Sequence, residues 1–160
     1  MHARNTTLVL SLLAFAVTPH AMQSSPTGGA LATPGNRIVG LWSTQGTVSG
    51  CSTGVSVVQV SNNLLFQAGG TVTESIAPTT ARTGGMGVWS YDPTTRSYTM
   101  HLRFDRFANN AYIGFSTIDR QLLMSDDGQQ ISGPVRATGY APDGTMITEL
   151  CGDVTSERLY

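Results

Sequence analysis

From Arg37 onward the apolar residues alternate with polar ones instead of recurring at every third or fourth place. The clearest run is Ser97 to Phe107. Tyr98, Met100, Leu102 and Phe104 fall on one side of it, and Thr99, His101, Arg103 and Asp105 on the other. That is the period of a half-buried strand. Turn signals punctuate such runs: Asn62-Asn63, Ala68-Gly69-Gly70, Asp92-Pro93-Thr94-Thr95, Asn109-Asn110, Asp126-Asp127-Gly128 and Pro142-Asp143-Gly144. The pattern predicts strands near 37–46, 63–68, 70–76, 86–92, 97–107, 111–124, 129–140 and 145–156, with 55–60 as a candidate ninth. Residues 79–85 (TTARTGG) are the least regular connection and read as a mobile loop. No segment from 37 onward carries a helical period.

Short turns between consecutive strands make each strand the neighbour of the next. The expected fold is therefore all-β, an eight-stranded antiparallel up-and-down meander. Such a sheet has two edges to hide, and closure into a barrel hides both. A two-sheet sandwich is the alternative.

The start of the chain reads differently. A short basic stretch precedes the apolar run Leu8 to Val17, as in a secretory signal peptide, and that run is too short to span a bilayer. We assign residues 1–21 to the signal peptide, with cleavage somewhere between 16 and 30. Residues 22–36, rich in Ser, Pro, Gly and Thr, read as a flexible leader. Residues 37–160 then form a single barrel domain. The expected localisation is exported, either periplasmic or secreted. In an oxidising compartment the two cysteines, Cys51 and Cys151, can pair; two unpaired buried thiols are the alternative.

Composition agrees with this picture. The 160 residues include 18 glycines, 21 Thr and 15 Ser, but only 12 % are charged. Disorder and coiled coil are poor readings of such a chain. The net charge is −1, and all nine basic residues are Arg, so there is no basic footprint for nucleic acid. His101 is the one histidine downstream of the signal segment, and with two distant cysteines it lacks zinc-ligand spacing. No metal or cofactor is expected.

Gly40-Leu41-Trp42 opens the first strand, Gly87-Val88-Trp89 lies mid-chain, and Arg158-Leu159 stands near the end of the last strand. With a Ser-Asp-Asp-Gly turn, this resembles lipocalin-like small secreted bacterial barrels of the calycin type, across about residues 37–160. A Thr-Asp-Tyr second motif is absent. The resemblance implies that Gly40, Trp42 and Arg158 close one end of a barrel, the Arg packing on the indole. If Trp42 faces Arg158, then Cys51 and Cys151 fall within two residues of the same antiparallel register. That agreement favours closure between the first and last strands.

Other motifs have plainer readings. Gly50-Cys51-Ser52-Thr53-Gly54 matches a nucleophile elbow, but no helix follows it. Gly84-Gly85-Met86-Gly87 precedes a strand and lacks the helix N-terminus of a phosphate cradle. His101, Arg103 and Asp105, with Asp119 and Arg120 on the partner strand, fit a solvated outer face with cross-strand ion pairs. Only on an inward face would they serve a small barrel isomerase or cyclase. The inward aromatic and methionine face, Trp89, Tyr98, Met100, Leu102, Phe104 and Phe115, is the candidate ligand wall.

The resemblance implies a non-catalytic carrier of a small apolar or amphipathic molecule, held in a void of several hundred Å³. The alternative is a structural or interaction module with a packed interior, meeting a partner through its outer face or the 79–85 loop. No nucleic-acid partner and no membrane span are expected, and the oligomeric state is open.

Overall fold

A computed structural model describes residues 33–55, 58–77 and 81–160. The expected signal segment and most of the leader lie outside the described residues. Eight strands follow a short 3-10 turn at Pro34–Ile38: β1 Gly40–Gly50, β2 Val58–Gln67, β3 Thr71–Ser75, β4 Gly85–Asp92, β5 Ser97–Ala108, β6 Ala111–Met124, β7 Gln130–Tyr140 and β8 Met146–Arg158. Each pairs antiparallel with the next, and β1 pairs with β8, so the sheet closes into an up-and-down barrel. A sandwich is excluded. Among the described residues no helix is long and apolar enough to cross a membrane.

The closing register runs from Trp42 opposite Arg158 to Gly50 opposite Leu150. Cys51 lies one residue past β1, and its N–H donates to the Glu149 carbonyl. Its sulfur lies 2.03 Å from that of Cys151, at disulfide distance, with Cα atoms 4.9 Å apart.

Four details differ from the sequence reading. Residues 37 and 38 belong to the 3-10 turn, and β1 starts at Gly40. Ile38 is fully buried, and the Tyr98 hydroxyl donates to the Pro34 carbonyl at 2.6 Å, so the end of the leader is docked on the barrel. Residues 58–60 of the candidate ninth strand and most of strand 63–68 are one element, β2; residues 56 and 57 lie outside the described residues. Asn62 and Asn63 are not a turn: they pair with Thr44 and Ser43 in mid-strand, and the Asn62 side chain is held by Glu74. Of the connection read as mobile, Ala81 and Thr83 exchange backbone bonds with Phe107 and Asp105, and Arg82 bridges to Arg106; residues 78–80 lie outside the described residues.

The interior fills from the end at which β1 begins. Ile38, Trp42, Leu64, Phe66, Val72, Trp89, Tyr98, Met100, Leu102, Leu122 and Ile131 pack into one cluster. Phe66, Trp89 and Tyr98 meet edge-on or tilted, with centroids 6.3 and 6.1 Å apart, geometries that aromatic quadrupoles favour. A smaller group, Val48, Val135 and Val154, occupies the opposite half.

Candidate functional site

Between the two apolar groups lies a belt of inward polar side chains. Asn62, Thr44 and Ser156 face one another across β2, β1 and β8. The Thr44 and Ser156 hydroxyls are 2.7 Å apart. Glu74 enters from β3 with its side chain 1 % exposed, and both its carboxylate oxygens bond Arg82, at 2.5 and 3.0 Å. The Asn62 amide also donates to Glu74. Arg82 reaches in from the β3–β4 connection and lies 4.0 Å over the Phe104 ring, a favourable cation–π placement. Gly85 makes room for this pair: a Cβ there would stand 2.3 Å from Leu102 Cδ2 and 2.8 Å from Glu74 Oε2.

Arg120 enters the belt from β6 and is 5 % exposed. Its two terminal nitrogens each lie 3.5 Å from Ser156 Oγ, the long limit of a hydrogen bond, and Nε has no partner. Burial pulls its pKa down to about 10, against an opposing pull from Glu74. It therefore stays charged at neutral pH. Of the belt, Thr44, Asn62, Glu74 and Arg120 border a void of about 50 Å³ whose other walls include Val48, Val60, Leu64, Met100, Leu102, Ile118 and Val135.

The sequence reading grouped Arg120 with the outer charges, and the structure corrects this. Arg120 is in phase with Ser116 and Leu122, both buried. Strict alternation along β6 carried that signal. Phe115 has the opposite phase, and its expected inward placement is also corrected. It lies outside, stacked on Tyr140 at 4.8 Å, with Arg103 3.9 Å over its ring. Trp89, Tyr98, Met100, Leu102 and Phe104 do face inward. Trp89 and Tyr98 are tied into the packed end, the indole N–H donating to the Gln67 carbonyl, while Met100 and Leu102 reach the void.

The outer wall carries the larger concavity. A groove of about 910 Å³ crosses β4 to β8, with Val88, His101, Asp119, Arg136 and Cys151 in successive register positions along it. His101 Nδ1 and Asp119 Oδ1 are 2.6 Å apart, with both side chains more than half exposed. Arg103–Asp105 at 3.5 Å and Arg136–Glu149 at 3.3 Å are further exposed pairs. Exposed Tyr112, Ile113, Met146 and Ile147 stand at the β5–β6 and β7–β8 hairpin ends.

Arg158 and Trp42 hold the packed end. The guanidinium lies 4.2 Å over the indole. Its nitrogens donate to the carbonyls of Gly128 (2.9 Å), Val39 (3.0 Å) and Arg37. The Trp42 N–H donates to the Ile38 carbonyl at 2.8 Å. No family model, no curated protein and no solved structure matches this chain.

Proposed function

We propose that this chain is an exported, lipocalin-like barrel acting as a non-catalytic interaction module, which meets its partner with its outer wall and carries no amphipathic cargo inside. The observation that supports this is where the free volume lies: about 50 Å³ inside and about 910 Å³ on the wall. A drug-sized ligand asks for roughly 300–1,000 Å³. Most of the aromatic and methionine face read as a ligand wall is spent on packing. The groove instead offers charges of both signs beside Val88, and Met86 stands next to it 73 % exposed. Exposed apolar residues beside such a groove suit a protein partner better than bulk water. The Cys51–Cys151 pair and the apolar N-terminal run support export.

Native mass spectrometry of the exported protein, purified without detergent and then solvent-extracted, tests the reading. A bare chain is expected, lighter by two hydrogens for the cysteine pair. An extractable lipid or other amphipath would overturn it and restore the carrier. Oxidative footprinting adds a positive arm. Met86 and Met146 should oxidise readily in purified protein, and at least one should be protected in the compartment where the partner resides.

A further inference from the structure

We propose that the interior void beside Arg120 is a binding site for one small monovalent anion of about the size of a water molecule. The argument begins with charge. Glu74 is the one carboxylate lining the void, and Arg82 takes both of its oxygens. Arg106, nearer the rim, adds another positive charge and donates to the Tyr140 carbonyl. Arg120 is left as a buried guanidinium without an ion-pair partner among the described residues. A buried, unpaired charge is among the most costly features a fold can carry. Its pKa stays well above neutral, so it does not escape the cost by shedding its proton.

Hydrogen bonding points the same way. A guanidinium carries five N–H donors. Arg120 has one hydroxyl within reach, Ser156, at the outer limit of distance, and that hydroxyl is already shared with Thr44 at 2.7 Å. Nε donates to nothing. The donors border open space, and an acceptor placed there would satisfy several at once. A neutral acceptor would answer the hydrogen bonds and leave the charge; an anion answers both.

Size sets the class of anion. A cavity needs roughly 10–15 Å³ of open space to hold one water molecule, so the void of about 50 Å³ admits only a few particles of that size. A halide fits; a sugar acid or a fatty acid does not. Asn62 also lines the void; its amide nitrogen is committed to Glu74, and its buried Oδ1 has no donor among the described residues. Apolar walls exclude bulk solvent and strengthen the attraction.

Thermal unfolding at constant ionic strength tests the site, with bromide progressively replacing gluconate, an anion too large for the void. Bromide is expected to raise Tm by about 4 °C for each tenfold increase above its dissociation constant. Arg120→Met should abolish that dependence. Equal Tm in the two salts, or an unchanged bromide response in the variant, would overturn the proposal. Should Arg120→Met fail to fold, anomalous scattering from wild-type crystals grown in bromide decides. A bromide peak within hydrogen-bond reach of the guanidinium supports the site, and a void filled by water alone overturns it.

Discussion

Gly40 and Arg158 stand at opposite ends of the barrel domain yet share one contact. Gly40 has φ +142°, and a Cβ there would lie 2.7 Å from both Arg158 Nη1 and the Tyr160 carbonyl oxygen. The glycine of the Gly-x-Trp motif is thus the space through which the arginine reaches three carbonyls and the Trp42 ring. Those carbonyls belong to the 3-10 turn, the residue before β1 and the β6–β7 turn, so a single side chain ties together three segments of the packed end. Arg158→Ala is expected to destabilise the fold by about 2–4 kcal/mol in urea unfolding, from lost charge-assisted bonds and ring contact. Arg158→Lys should recover less than half of that, because an ammonium cannot span the three acceptors as a planar fork does. This residue was legible from the resemblance. Arg120 was legible only in its phase along β6, because an arginine beside an aspartate also reads as a surface pair.

Three hairpin turns use an aspartate in the same way. Asp92, Asp127 and Asp143 each accept a backbone N–H two residues on, from Thr94, Gln129 and Thr145, at 2.8, 3.0 and 2.9 Å. Such Asx turns set the chain reversal locally. At Asp92 and Asp143 the largest cause lowering the carboxyl pKa is that backbone bond; at Asp127 the Ser125 hydroxyl comes first, then the backbone. A lowered folded-state pKa means stability that is complete above the unfolded value of 3.8 and lost as pH falls through the folded value. Acid melts should therefore show Tm falling below about pH 4. The triple variant Asp92→Asn, Asp127→Asn, Asp143→Asn should show a shallower fall, and parallel curves would refute the assignment. The β6–β7 and β7–β8 turns were marked in the sequence by Asp with Gly, and β5–β6 by Asn109-Asn110, both at positive φ. Asn62-Asn63 carried the same signal and misled, because pairing to β1 and the bond to Glu74 outweigh a local turn preference.

At the scale of the molecule, closure joins strands that are farthest apart in sequence, and the cysteine pair sits beside that seam. Its sequence separation is 100 residues. A chain-entropy argument assigns such a loop about 4.7 kcal/mol of stabilisation. Urea unfolding with and without reductant should show a loss of a few kcal/mol on reduction, with the barrel still folded in water; an unchanged midpoint would contradict the pairing. The barrel closes around a polar belt, so a single interior holds two apolar groups with Glu74, Arg82 and Arg120 at their junction.

Alternation and turn chemistry determined the order of the strands, the meander and most strand positions, though not the extents of β1 and β2, and the Gly40, Trp42 and Arg158 motif pointed to the closing register. These are properties of neighbouring residues, or of two strands with one antiparallel register between them, and a linear pattern records both. Whether the interior is hollow was decided only in three dimensions. Void volume is a small difference between the space inside the barrel and the side chains filling it, and it depends on how Trp89, Phe66 and Tyr98 tilt against one another. The same holds for the isolation of Arg120. It has no ion pair of its own because Arg82, arriving from a different loop, takes both oxygens of Glu74 and leaves only a longer-range attraction, a three-body arrangement that no pairwise reading of strands contains.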